Sequence, residues 1–189
     1  MTDVSDFQGW RVDEAELLRR TARGDESAFG EIYARHSPAV YRYALRMSGS
    51  REMAEEVVQD VFMQVVKGCR GFDPAIGPLA SYLYGLARNR MARLWPDQSE
   101  TPIEEFDLAS DEPDPLEGLS REQQVESVRV AVSSLPLAYR EVVVLCGLEE
   151  MSYAAAAEAL GVETGTVRSR LHRARKMLLE RLKRNGVRV

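Results

Sequence analysis

Apolar residues recur at intervals of three and four along most of this chain, which is the spacing of one face of an α-helix. The pattern is clearest in the segment with apolar positions Ala54, Val57, Val58, Val61, Phe62, Val65 and Val66. No segment keeps the strict alternation of polar and apolar residues that a half-buried strand requires. The sequence therefore predicts an all-α protein.

Turn-forming residues divide the first part of the chain into separate helices. The helical pattern from Asp13 to Arg35 is interrupted at Gly24, after which Asp25 can cap the second part. Pro38 fits the first turn of another helix, which is predicted to run to about Met47. The apolar positions expected to face inward here are Leu17, Leu18, Ala22, Ala28, Phe29, Ile32, Tyr33, Val40, Tyr41, Ala44 and Leu45.

Glycine and proline also bound the later helices. A loop from Gly68 to Pro78 precedes a helix from Leu79 to Trp95. Helical spacing resumes near Ser120, and Pro136 begins a further helix that runs to Gly147. The helix after Ser120 is expected to bury one stripe, formed by Val125, Val128, Val132 and Leu135.

The segment from Pro96 to Leu119 separates two helical halves. It contains four of the eight prolines and has no sustained period, and it carries most of a run of eleven acids against one base that ends at Val128. Such a composition favours an extended or disordered linker, although a solvated acidic loop without a partner is an alternative interpretation. The sequence thus predicts two small helical domains, residues 10–95 and 120–185, joined by an acidic, proline-containing linker at 96–119.

Residues 152–175 have the spacing of a helix-turn-helix. Their sequence is SYAAAAEALGVETGTVRSRLHRAR. Ser152 can cap the first helix, Ala157 is small where two helices must cross, and Gly161 stands where the turn requires a positive φ. The separations from Ala157 to Gly161 and on to Val167 are four and six residues, as in helix-turn-helix motifs.

The distribution of charge along the chain indicates that this helix-turn-helix binds DNA. The net charge is −5, but residues 165–189 hold nine basic residues against one acid, a local charge of +8. The buried stripe of the second helix is predicted to be Val167, Leu171, Ala174, Leu178 and Leu182. The opposite face then carries Arg168, Ser169, His172, Arg173 and Lys176, with Arg170 and Arg175 at its flanks. Arginine forks and the helix N-terminus both suit a major groove and its phosphates.

Several function classes find no support in the sequence. No apolar run is long enough to span a membrane, and the acidic N-terminus is unlike a secretory signal, so a cytoplasmic protein is expected. The two cysteines, Cys69 and Cys146, lack neighbours at metal-ligand spacing and fit small buried side chains, although a redox pair stays open. No phosphate loop, metal cluster or nucleophile elbow occurs, so no catalytic residue, metal or cofactor is expected.

Leu135 to Leu182, which include the run GTVRSRLHRAR, resemble the promoter-binding C-terminal domain of extracytoplasmic-function sigma factors. In the first half, DESAFGEIYARHSPAVYRYALRM resembles the opening of that family's first domain. AEEVVQDVFMQVVK resembles its polymerase-docking helix, and SYLYGLARNRMARLW resembles its promoter-melting helix. The resemblance covers about residues 13–185.

The resemblance implies roles for individual residues. Gln59 and Asp60 would bind the clamp helices of core RNA polymerase. Asn89, with the loop Phe72 to Ile76 that contains Asp73, would capture a flipped base of the minus-ten element. Arg168, Ser169, Arg170, His172 and Arg173 would read the minus-thirty-five element.

At some positions this sequence differs from the residues that are usual in the family it resembles. Tyr82 stands where a tryptophan is usual, and Arg93 where an aspartate is usual. Trp95-Pro96 replaces a basic tail, Gly77-Pro78 is unusual in the loop before the melting helix, and Glu163 precedes the recognition helix where serine would cap better.

The predicted function is therefore that of a sigma factor, which binds core RNA polymerase and promoter DNA to start transcription in a stress or environmental response. The family is typically held inactive by an anti-sigma protein, so such a partner is expected. A polymerase-independent helix-turn-helix repressor or activator is the alternative. It would explain the C-terminal domain but not the first domain.

Overall fold

A computed structural model describes residues 14–69, 71–94 and 121–184. The first half holds helix α1 at 14–22, α2 at Glu26–Ser48, α3 at Arg51–Val66 and α4 at Leu79–Leu94. The second half holds α5 at Arg121–Ser133, α6 at Leu137–Val143, α7 at Tyr153–Leu160 and α8 at Thr164–Arg184, with a π-helical turn at Val144–Leu148. No β-strand occurs in these described ranges, and the predicted all-α class is confirmed.

The helix ends follow local chemistry. Asp25 caps α2 by accepting a hydrogen bond from the backbone N–H of Ala28 at 3.1 Å, and this bond lowers the pKa of the Asp25 carboxyl. Ser50 caps α3 in the same way, from Met53 N–H at 3.2 Å. Side-chain oxygens thus satisfy backbone donors that a helix start leaves unpaired.

The predicted helix boundary at Pro38 is wrong. Helix α2 runs without interruption for 23 residues, with Pro38 inside it. The buried positions continue at helical spacing on both sides of the proline, through Ala28, Ile32, Val40, Tyr43, Ala44 and Met47. Packing of this continuous face against α3 and α4 outweighs the lost backbone hydrogen bond at the proline.

The core of the first half lies between α2, α3 and α4, where Tyr43, Ile32, Val57, Val61 and Leu83 are fully buried. Not every position predicted to face inward does so. Tyr33 is 43% exposed, Val66 is 45% exposed and Ala22 is also exposed. These residues lie at the edge of the buried stripe, where helical spacing alone does not tell a covered position from an open one.

In the second half, α6, α7 and α8 pack around Leu145, Val142 and Val167. The predicted stripe of α5 is only half correct. Val132 and Leu135 are buried, but Val125 is 64% exposed and Val128 is also exposed. Helix α5 contacts its neighbours near its C-terminal end, where Ala131 and Val132 are buried, so the first turns meet no covering surface among the described residues.

The two halves also pack against each other. Helix α7 lies on α4, and α5 and the π-helical turn lie on α2. The buried apolar side chains of both halves form one continuous cluster. The predicted linker, 96–119, lies outside the described residues, and the predicted domain boundaries stay predictions.

Candidate nucleic-acid interface and adjoining grooves

Helices α7 and α8 form the predicted helix-turn-helix. Ser152 caps α7 by accepting a hydrogen bond from Ala155 N–H at 3.1 Å. Gly161 ends α7 with φ at +64°, a conformation that costs glycine little, and Val162 N–H then donates to the Ala157 carbonyl at 3.0 Å. Ala157 and Val167 are both buried where the two helices meet. The predicted positions in this motif are thus confirmed.

One face of α8 is buried and the opposite face is open. The buried positions are Val167, Leu171, Ala174 and Met177; Met177 takes the place predicted for Leu178, which is partly buried. On the other face the side chains of Arg168, Ser169, His172 and Arg173 are exposed, so the structure brings four of the predicted minus-thirty-five residues onto one accessible surface. Arg170 is only partly exposed, because the helical period places it on the side of α8 that holds the buried Ala174 and Met177.

Two of these side chains have partners within the fold. The Arg168 guanidinium lies 6.0 Å from the ring centroid of Tyr153 at the start of α7, close enough for a cation–π contact that would restrain it. The Ser169 hydroxyl donates to the Thr166 carbonyl at 3.0 Å. His172 and Arg173 lie beside them on the exposed face, where they can reach a bound duplex.

The basic residues of α8 divide into two groups. Arg181, near the C-terminal end, is partly buried and donates to the Ser134 hydroxyl, and burial lowers the pKa of its guanidinium. Arg181 therefore ties α8 to the end of α5. The exposed arginines in the N-terminal half of α8 stay available to a polyanion.

A polar groove of about 380 Å³ lies between α3 and α4. Arg90 lines this groove and forms ion pairs with Glu56 at 2.8 Å and with Asp60. Asn89 and Arg93 line the same groove. The family resemblance assigns Asp60 and Asn89 to different partners, yet both line this one groove. Arg93, which stands where the family usually has an aspartate, adds a cation to it.

A second groove, of about 530 Å³, lies between α2 and α3 and is mostly apolar. Gln59 lines it, although its sequence neighbour Asp60 faces the polar groove. The apolar lining consists of Phe29, Tyr33, Pro38, Tyr41, Val58, Phe62, Met63 and Val66. Sequence reasoning missed this groove because Tyr33 and Val66 were interpreted as core.

The loop before α4 holds the remaining predicted minus-ten residues. The Asp73 carboxylate accepts from Ala75 N–H at 2.9 Å and so shapes the turn. The centroid of the Phe72 ring lies 5.6 Å from that of Tyr82, which stands where the resembled family usually has a tryptophan. Asn89 lies ten residues along α4 from Leu79, about 15 Å away at 1.5 Å per residue. Phe72 and Asp73 therefore stand at one end of α4 and Asn89 nearer the other.

The cysteines have no disulfide. Cys69 is buried and Cys146 partly buried, and both thiols are free. Burial raises the pKa of the Cys69 thiol to about 11 and also raises that of Cys146. In the described parts of the chain, no group of His, Cys, Asp and Glu side chains is arranged to hold a metal ion, and no helix is long and apolar enough to cross a membrane.

This arrangement defines a helix-turn-helix DNA-binding protein with a second helical unit and two open grooves. Comparison with known proteins identifies both parts. Residues 32–101 match the family model for Sigma-70 region 2, and residues 126–178 match that for Sigma-70, region 4.

Relatives match over most of the chain. RNA polymerase sigma factor NccH of Alcaligenes xylosoxydans xylosoxydans is 31% identical over 99% of this chain and 100% of NccH. ECF RNA polymerase sigma factor SigE of Mycolicibacterium smegmatis is 31% identical over 87% of this chain and 66% of SigE. The chain belongs to the family of ECF RNA polymerase sigma factors.

A solved structure shows the same fold. It is that of the sigma factor RpoE in complex with the anti-sigma factor NepR from Bartonella quintana. The TM-score is 0.60 at 27% identity, and the match covers 82% of this chain and 96% of RpoE.

Proposed function

We propose that this protein binds core RNA polymerase in the cytoplasm and directs it to promoters that carry a minus-ten and a minus-thirty-five element. The observation that supports the proposal most is that one chain holds both an exposed, basic recognition helix and a second helical unit that matches Sigma-70 region 2. A helix-turn-helix regulator that acts without polymerase would need only the first of these.

At the minus-thirty-five element, α8 would enter the major groove with Arg168, Ser169, Arg170, His172 and Arg173. Exposed guanidinium groups can donate two hydrogen bonds to a guanine edge or to a phosphate. The start of α8 adds the partial positive charge of a helix N-terminus. These contacts would place the protein in register on the duplex.

At the minus-ten element, Phe72, Asp73 and Asn89 would hold a base taken out of the stack. Unstacking a base costs a few kcal/mol, which contacts to the extruded base can offset. The sequence has no ATP-binding motif, so opening would depend on binding energy alone. The proposed role gives the protein no reaction of its own to catalyse.

Core polymerase would bind across α3. Gln59 faces the apolar groove and Asp60 the polar groove, so a helical partner lying over α3 would meet both. Apolar side chains with a few polar anchors are typical of protein-binding grooves. The proposed units correspond to the predicted domains at 10–95 and 120–185, with 96–119 between them.

An anti-sigma protein is the proposed regulator, acting in a stress or environmental response. Support comes from the family and from the complex of RpoE with NepR. The test is to recover a polymerase-free complex from native cells and add the recovered protein to a transcription reaction. Inhibition is expected, and failure to recover any specific inhibitor would count against this partner.

The central experiment is gel filtration of the purified chain with bacterial core RNA polymerase, followed by transcription from a pool of promoter fragments. Co-elution and promoter-dependent transcripts are expected, and sequencing the transcribed fragments gives the promoter. DNA binding by a folded chain that does not co-elute would instead indicate the polymerase-independent regulator.

A further inference from the structure

Tyr153 is the first residue of α7 and lies beside the recognition helix without being part of it. Its backbone is held in place, because the preceding residue, Ser152, caps α7 and accepts a hydrogen bond from Ala155 N–H at 3.1 Å. Tyr153 is 37% exposed, so its ring reaches the surface of the helix-turn-helix. It is not among the residues to which the family resemblance gives a role.

The ring of Tyr153 lies under the guanidinium of Arg168. The Arg168 Cζ is placed over the ring, 6.0 Å from its centroid. The negative face of an aromatic ring attracts a cation at this distance, and the planar guanidinium can stack on it. A guanidinium that stacks by its face keeps the N–H groups along its edge, so the contact with the ring and a bidentate hydrogen bond to DNA do not compete.

Arg168 differs in this respect from two other cations on the same face of α8. The side chains of Arg173 and Lys176 are also exposed. In the part of the chain that the structure describes, neither of them is held by an ion pair, a hydrogen bond or an aromatic ring. Of these three cations, Arg168 is therefore the one whose orientation the fold restricts.

Reading a base and holding a phosphate make different demands on an arginine. A phosphate contact fixes the register of a protein on the duplex but carries no sequence information. A guanine edge presents two acceptors at fixed positions, so a bidentate arginine has to approach in one geometry. A side chain that is already restrained loses less entropy on binding. An arginine stacked on a ring is therefore suited to a base, and an unrestrained one to a phosphate.

We propose that Tyr153 is a positioning residue for promoter recognition. Its ring orients the Arg168 guanidinium toward a guanine of the minus-thirty-five element, so the pair sets the preferred base at one position. Arg173 contacts the phosphates beside it. This assignment rests on the proposed function, because it requires α8 to enter the major groove of promoter DNA.

The test begins with a pool of duplex promoter fragments in which the minus-thirty-five element is randomised. Holoenzyme assembled from the full chain and core polymerase selects fragments, and sequencing of the bound fraction gives the base preference at each position. Arg168→Ala should lower the preference for guanine at one position about tenfold or more, because a bidentate contact is lost. That position is then taken as the one that Arg168 reads.

Variants of Tyr153 are compared at that position. Tyr153→Leu removes the aromatic face but keeps an apolar side chain, and the guanine preference should fall about threefold, as expected for an exposed cation–π contact. Tyr153→Phe keeps the face and should keep the preference. Preferences at the other positions should stay unchanged in both variants. Base preference is a ratio within one sample, so a variant that is partly destabilised still reports it.

A double-mutant cycle separates positioning from a general structural role. In the Arg168→Ala background, Tyr153→Leu should cause no further loss of guanine preference, because the ring no longer has a guanidinium to orient. Arg173→Ala is the matched arginine for a control cycle. Its effect on affinity and that of Tyr153→Leu should be independent, since no contact joins Arg173 to Tyr153 in the described structure.

Three results would overturn the assignment. The first is an Arg168→Ala variant with unchanged base preferences, since Arg168 would then read no base. The second is an equal effect of Tyr153→Leu with and without Arg168, which would mean that the ring acts through the fold. The third is a Tyr153→Phe variant that loses as much as Tyr153→Leu, which would assign the effect to the hydroxyl.

The same pool is also offered to the chain without polymerase, which separates this assignment from the proposed function. If no holoenzyme forms but the chain alone shows the Arg168-dependent and Tyr153-dependent preference, the proposed function fails and the positioning role stands. If holoenzyme forms and transcribes without that preference, the proposed function stands and the positioning role fails.

Discussion

Arg173 projects from the open face of α8, and its contribution to DNA binding can be measured by itself. Arg173→Ala should weaken minus-thirty-five binding and reduce the slope of log affinity against log salt by about one, because one phosphate contact is lost. The measurement is a fluorescence anisotropy titration at several salt concentrations.

The control for Arg173 is Arg184→Ala, which removes the same charge from the exposed end of α8, about 16 Å along the helix axis. It should change affinity less. An unchanged salt slope for Arg173→Ala would exclude this residue from the phosphate contacts.

Asp60 is the acid on α3 assigned to polymerase binding, and it pairs with Arg90. Asp60→Ala should reduce affinity for core polymerase severalfold while sparing binding to isolated DNA. Glu31→Ala is a matched control, since Glu31 also pairs with an arginine, Arg35, one turn away at 2.7 Å. Normal polymerase affinity of the Asp60 variant in a surface-binding assay would refute the assignment.

The Cys69 thiol shows how burial controls reactivity. Its pKa of about 11 lies two pH units above the ordinary value of 9.0, and only the thiolate reacts with iodoacetamide. At pH 8 alkylation should therefore be about a hundredfold slower in the folded protein than in urea, and the rate should rise with pH up to about 11. Mass spectrometry of the peptides should show Cys146 modified first; rapid native alkylation of Cys69 would contradict its burial.

At the scale of single helices, α2 keeps a proline inside a long buried element. Pro38→Ala restores a backbone donor and should stabilise the protein by about 1 kcal/mol, since the gain in the helix exceeds the lost restriction of the unfolded chain. The urea midpoint is the measurement. Gly30→Ala, whose Cβ would meet no atom within 4 Å, calibrates the effect of helix propensity in α2. A lower midpoint for Pro38→Ala would show that the proline packs in a way its neighbours require.

Helix starts and the helix-turn-helix were predictable because their causes act within one or two turns. Asp25 and Ser152 cap helices through backbone donors three residues away, and Gly161 supplies the left-handed turn. The stripe of α5 was predicted only in part. Periodicity identifies the apolar side of a helix, but Val125 stays exposed because no surface in the described structure covers it.

At the scale of the whole molecule, Arg140 connects the ends of α2 and α5 through three carbonyl oxygens. Burial lowers the pKa of its guanidinium, because removing the charged form from water is unfavourable. Arg140→Ala should leave the three acceptors without this donor and cost about 3 kcal/mol. It should also split one calorimetric unfolding transition into two, because the halves lose a shared contact.

Arg129→Ala serves as the control for Arg140, because Arg129 forms an exposed pair with Glu126 on α5. Its unfolding profile should match that of the wild type. A single unshifted transition in the Arg140 variant would mean that the apolar cluster alone joins the halves.

The sequence by itself determined the helical class, most helix limits, the helix-turn-helix and the side of α8 that carries its cations. These depend on local hydrogen bonds and on the 3.6-residue period, which neighbouring residues specify together. Only the tertiary structure decided that Gln59 and Asp60 face different grooves, that α2 continues through Pro38, and that Glu149 meets arginines more than 100 residues away. Burial and ion pairing depend on which surfaces meet in space, and no local pattern contains that information.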